Sequence, residues 1–142
     1  MINNYNEFKE YLKKLDTKPK LLLHACCGPC STHTLKVLED YFDITIYFDN
    51  SNMDTEEEFL KRLAAQKTVI ESFKDIKLVV GKYLPETFYA AIKGDEHLGE
   101  FSSRCTKCMP SWHVRPPQSS YRYDDRVLRP MVHPPQCFHC SE

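Results

Sequence analysis

Three short apolar runs, each followed by a stretch of helical periodicity, constrain this chain most. KLLLHA at 20–25, ITIYF at 44–48 and IKLVV at 76–80 have the length and the apolar, β-branched or aromatic content of buried strands. After the first run come Gly28 and Pro29, then Ser31 or Thr32 as a helix N-cap, then THTLKVLEDYF as a helix. After the second, the polar stretch DNSNMD at 49–54 reads as a loop. Thr55 with Glu58 three residues on forms a capping box for a helix running to about residue 73. After the third, Gly81 ends the strand, and PETFYAAIKG at 85–94 reads as a helix with Pro at its start and Gly at its end. A further amphipathic helix is expected over 5–16, where Tyr5, Phe8, Leu12 and Leu15 share a face before Thr17-Lys18-Pro19 breaks it. Strand–helix alternation of this kind implies an α/β fold, a parallel sheet covered by helices. Ligands of such sheets sit in the loops that leave the carboxyl ends of strands.

The first of those loops is occupied by cysteine. The seven Cys fall in three clusters: Cys26-Cys27-Gly28-Pro29-Cys30, Cys105-x-x-Cys108 and Cys137-x-x-Cys140. The N-terminus, MINNYNEFKEYLKKLD, has neither the apolar core nor the cleavage site of a secretory signal. A cytoplasmic, reducing setting is therefore expected, in which clustered Cys point to metal or redox chemistry rather than to a disulfide scaffold. Two C-x-x-C pairs suit structural zinc. The doublet Cys26-Cys27 does not, because neighbouring side chains on extended backbone point to opposite sides. At a strand-to-helix turn both can face a larger object such as an iron–sulfide cube. The pattern leaves zinc and iron–sulfur both open and leans to the latter. The segment EHLGEFSSRCTKC is expected to carry the second pair on a loop.

Charge excludes one class of protein. Lys+Arg number 19 against 20 Asp+Glu, a formal net charge of -1, so bulk positive charge cannot grip nucleic acid and only a local basic patch could. The apolar runs are too short for a membrane span. Residues 1–109 read as the α/β domain carrying the first two Cys clusters, and 110–142 as an irregular tail. All thirteen Lys lie at or before Lys107, four of the six Arg lie at 115–129, six of the nine Pro lie in 110–135, and no Gly follows Gly99. Pro110 is expected to stop any helix at once. The tail reads either as an ordinary extension or as a continuation foreign to the fold, from a frameshift or a fusion.

The motifs LLLHACCGPCSTHTLKVL at 21–38, YFDNSNMDTEEEFLKRL at 47–63 and RCTKC at 104–108 together resemble the QueH type of epoxyqueuosine reductase. That family carries His-x-Cys-Cys-x-Pro after its first strand, an Asn-containing loop followed by Glu-Tyr/Phe-x-x-Arg, and Arg-Cys-x-x-Cys. Here these are His24 to Pro29, Asp49-Asn50-Ser51-Asn52-Met53 with Glu58-Phe59 and Arg62, and Arg104, Cys105 and Cys108. The resemblance covers roughly residues 20–109. It implies a Rossmann-like fold of the adenine nucleotide α-hydrolase type. It also implies reduction of epoxyqueuosine to queuosine in the tRNA anticodon, with tRNA and an electron donor as partners. The cofactor implied is a [4Fe-4S] cluster on Cys26, Cys27, Cys105 and Cys108, with Cys30 a candidate ligand for a second, mononuclear iron. The family's continuation after Arg-Cys-x-x-Cys, a Leu-Arg-Leu-type helix with a further strand and helices, is not recognisable after Met109. Its C-terminal Cys-x-Cys redox pair has only Cys137-x-x-Cys140 as a counterpart, a substitute dithiol or a coincidence.

Two other readings stand beside this one. One is a non-catalytic zinc module on Cys105, Cys108, Cys137 and Cys140, whose pairs lie 28 residues apart, longer than common zinc ribbons and leaving Cys26 and Cys27 unexplained. The other is an inactive, truncated family member. His24 reads as a partner of the site or as the end of a strand, and Asn50 and Asn52 as substrate-loop residues or turn formers. Glu58 and Arg62 are a surface i, i+4 pair or part of the site. Arg104 could tune a cluster or contact phosphate, and Arg115, Arg122, Arg126 and Arg129 could build the basic patch.

Overall fold

The computed structural model describes residues 5–53, 55–99 and 102–113. Eight elements follow in order: α1 (Tyr5–Lys13), β1 (Lys20–Ala25), α2 (Gly28–Leu38), β2 (Asp43–Phe48), α3 (Glu56–Ile70), β3 (Lys77–Val80), α4 (Pro85–Ala91) and α5 (Ser103–His113). The strands form one parallel sheet in the order β1-β2-β3. Two successive β-α-β crossovers, with α2 and α3 as their helices, generate it, as the alternation requires.

Burial alternates along the first two strands. Leu21, Leu23 and Ala25 of β1 stand beside Ile44, Ile46 and Phe48 of β2 in register, and all six are buried. Leu35 and Leu38 of α2 join the first five in one cluster with Leu12 of α1, while Phe48 packs with Met53 and with Phe59 and Leu63 of α3. The opposite face is different. Leu22, Thr45 and Tyr47 are only half-buried and His24 is exposed, so β1 is not the fully buried strand that its continuous apolar run suggests. Apolar composition sets how much can be buried, and the packing of helices sets which face is.

α3 begins as its capping box dictates. The Thr55 hydroxyl accepts the Glu58 amide at 3.2 Å, and Glu56, Glu57 and Glu58 occupy the first turn, where the helix dipole favours negative charge. α2 does not begin where Ser31 or Thr32 would cap it. It starts four or five residues earlier, at Gly28, with Cys27 as N-cap and Pro29 in the first turn. Ser31 instead turns its hydroxyl inward and donates to the Gly28 carbonyl at 2.8 Å. α5 is a second departure: the Arg-Cys-x-x-Cys segment is helical rather than a loop, and the helix runs past Pro110 to His113. Proline removes one backbone hydrogen bond and kinks a helix, and here it does not end it.

Candidate functional site

β1 and β2 are parallel and in register, with Ala25 opposite Phe48, so Cys26-Cys27 and Asp49–Met53 leave the sheet at the same edge. Cys26 is half-buried. Cys27 holds the extended conformation of an N-cap (φ -150°, ψ 125°), and Cys30 lies exposed on the first turn of α2. Gly28 makes this turn possible. A Cβ at that position would stand 2.7 Å from the Ala65 carbonyl oxygen of α3, so only glycine lets α2 start seated on its neighbour. Beside it, the Gln66 side-chain amide, fully buried, donates to the Ser31 hydroxyl at 3.1 Å. The Cys turn is thus clamped to α3.

Burial, followed by the neighbouring Cys27 and Cys30, pushes the Cys26 thiol above its ordinary value, and Arg62 opposes the rise. The Cys30 thiol is raised first by its hydrogen bond with Cys27, then by burial, with Arg62 again opposing. Arg62 reaches this influence from α3 while its Nε donates to Glu58 Oε1 at 2.6 Å. The ion pair of Glu58 and Arg62 forms as the i, i+4 spacing predicts.

The second loop is tied to the first. His24 Nε2–H donates to the Asp49 carbonyl at 2.8 Å. The Asp49 carboxylate accepts Tyr47 Oη–H at 2.8 Å and Ser51 Oγ–H at 3.3 Å. Asn50 and Asn52 are fully buried, and among the described residues both side-chain amides lack hydrogen-bond partners. Unpaired buried amides are uncommon, each orphan atom costing about 1–3 kcal/mol. They mark the two residues as candidate recognition groups rather than mere turn formers.

The second Cys pair has another setting. Cys105 is half-buried on α5, and Cys108, one turn on, is buried with Phe88 of α4 and Ile92 just beyond it. Asp95 fastens the helix: its carboxylate accepts Ser103 Oγ–H at 2.8 Å and pairs with Lys107 Nζ at 2.9 Å. Those hydrogen bonds, Lys107 first, hold its carboxyl below the usual carboxylate range. Arg104 is buried. Its Nη1 donates to the Leu98 carbonyl at 2.9 Å, whereas Nε and Nη2 have no partner.

None of the five described Cys is in a disulfide, so all are thiols available as soft ligands. Chemically they suit an iron–sulfur cofactor. Among the described residues no three Cys, His, Asp or Glu side chains come together as a metal-binding group. Cys137, Cys140, Arg115, Arg122, Arg126 and Arg129 lie outside the described residues. Sequence reading missed Gln66 and Asp95. Gln66 had a signal, since a glutamine that continues the buried Phe59–Leu63 stripe at i+7 must find a polar partner inside.

Residues 21–115 match the sequence family described as epoxyqueuosine reductase QueH. The chain is similar to the epoxyqueuosine reductase QueH of Staphylococcus aureus, 38% identical over 122 residues, which are 76% of this chain and 51% of that protein. It is similar to the protein of that name from Staphylococcus epidermidis, 40% identical over 64% of this chain and 41% of the other. The Streptococcus pyogenes protein is 30% identical over 74% of this chain and 45% of its own length. The chain spans about half the length of these curated relatives, or less.

Proposed function

The chain belongs to the QueH family, and from that premise we propose that it serves the reduction of epoxyqueuosine to queuosine in the tRNA anticodon. The observation that carries the reading is the Cys turn at the carboxyl edge of a parallel sheet, under the charge of Arg62 and inside the matched segment. Converting an epoxide to an alkene removes one oxygen and consumes two electrons and two protons. Side chains alone supply no low-potential electrons, so a cofactor is required. A [4Fe-4S] cluster held by Cys26, Cys27, Cys105 and Cys108 would supply them. In this reading the ligands come from two elements, the turn after β1 and the helix α5.

The chain's own groups serve the remaining needs. Arg62 offsets the negative charge of thiolates at the turn, whose burial otherwise disfavours the ionised form. The His24–Asp49 bond holds the Cys loop and the Asn loop in one register. The amides of Asn50 and Asn52, each with donor and acceptor unused, suit the polar edge of a modified base. With a net charge of -1, phosphate contacts fall to a local set of Lys and Arg. No described helix is long and apolar enough to cross a membrane.

Anaerobic reconstitution tests the proposal. Iron and acid-labile sulfide should bind in equal amounts, with a visible charge-transfer band, and the loaded protein should convert epoxyqueuosine in tRNA when given a reductant. Zinc bound without sulfide would reject the cluster and favour a structural metal module.

A further inference from the structure

Cys27 and Cys30 have a relation to each other that ligation does not use. Cys27 caps α2 in extended conformation and Cys30 lies three residues on in the first turn, so the pair has the Cys-x-x-Cys spacing at a helix start. Between them, Gly28 is pinned against Ala65 of α3 and Pro29 fixes the backbone of the first turn, so the spacing is held rigidly. Cys30 is exposed and Cys27 half-buried, which gives a small oxidant access. A Cys-x-x-Cys pair opening a helix is a common setting for reactive dithiols.

We propose that Cys27 and Cys30 close a reversible intramolecular disulfide in the cofactor-free chain. A low-molecular-weight disulfide is the oxidant. One thiolate of the pair attacks it, forming a mixed disulfide and releasing one small thiol. The second thiolate then attacks the protein sulfur of that mixed disulfide and releases the other. Two electrons leave the pair, one S–S bond breaks as another forms, and the two protons end on the two small thiols. Cys26 is the poorer partner, since adjacent side chains on the extended Cys27 backbone diverge. The bond itself stands on the chain's own geometry. Its consequence, that oxidation removes Cys27 from the ligand set and makes metal loading depend on prior reduction, rests on the cluster reading above.

The test uses the full, metal-free chain equilibrated in glutathione buffers of graded ratio, trapped with N-ethylmaleimide and digested with trypsin. Cys26, Cys27 and Cys30 all fall on the peptide Leu21–Lys36. At the oxidised end the wild-type peptide should carry one label in place of three, reversibly. Cys26→Ser should carry none, while Cys27→Ser and Cys30→Ser should each keep two. Full labelling of the wild-type peptide at every ratio, a disulfide persisting in Cys30→Ser, or a bond to a cysteine of another peptide would overturn the proposal. Iron and sulfide uptake is the second readout. Oxidised wild type should take up sulfide only after a dithiol reductant is added, and Cys30→Ser should take up sulfide without it. Failure of fully reduced wild type to load at all would sink the cluster reading while leaving the mapped disulfide standing.

Discussion

The two cysteine-bearing regions are held in different ways. The Cys26–Cys30 turn grows from the end of the sheet strand β1, sits against α3 through Gly28, and is backed by the buried Ser31–Gln66 bond. Each of those contacts joins residues far apart in sequence. Cys105 and Cys108 ride on a helix whose described contacts are nearby in sequence: Phe88 and Ile92 beneath it, Asp95 and Leu98 at its start. The first Cys turn is thus fixed by the global fold, whereas the second pair sits on a helix that can shift with little effect on the sheet. Local contacts open at lower free energy than core ones.

The difference can be broken most directly with two aromatic truncations. Phe48→Ala removes a fully buried ring from the sheet and should cost about 3–5 kcal/mol in denaturant unfolding. Phe88→Ala removes an equally buried ring, yet hydrogen exchange should rise in α4 and α5 while β1 and β2 stay protected. Equal deprotection of the sheet in both variants would abolish the distinction. Gly28→Ala forces a Cβ onto the α3 backbone and should cost about 1–3 kcal/mol, seen as a lower Tm. Ser31→Ala strands the Gln66 amide and should cost roughly 1–2 kcal/mol, whereas adding Gln66→Leu should recover much of it.

Titration sharpens the contrast with smaller effects at opposite ends of the pH scale. Asp95 has a depressed folded pKa. Its stabilisation is whole above the ordinary carboxylate value and is lost as pH falls through the lower folded one. Acid should therefore loosen α5 first, and Asp95→Asn should remove that response in hydrogen exchange. Cys26 is raised by burial, so the advantage of its neutral thiol is whole below the ordinary value of 9.0 and is lost as pH climbs through the folded one. In metal-free protein the Cys turn should loosen in alkali, and Cys26→Ser should flatten the alkaline limb of a stability–pH curve.

Much of the fold was legible because it is written in neighbouring residues. The three strands, the Thr55–Glu58 cap and the Pro85 start all appear within a residue or so of their expected places. The start of α2 was not legible from its own segment. Ser31 is a good cap by type, but the Gly28–Ala65 contact draws the helix back to Cys27, and Ser31 serves Gln66 instead. The helical state of Arg104–Cys108 was hidden by Pro110, which lowers helix propensity without forbidding a helix that α4 and Asp95 support. At the candidate site the residue types were visible and their partners were not: Arg62 was legible as an ion-pair member, its action on Cys26 and Cys30 only from the packing of α3 beside α2.

The sequence by itself determined the strand–helix alternation, the parallel sheet and the thiol-rich loop at its ligand edge. Side-chain period and turn chemistry act over a few residues and need no tertiary partner to be read. Only the tertiary structure decided which sheet face is buried, that Gln66 holds Ser31, and that Cys108 is buried against Phe88 and Ile92. Those outcomes depend on how helices pack across the sheet, and close packing couples residues whose separation along the chain carries no trace of their meeting.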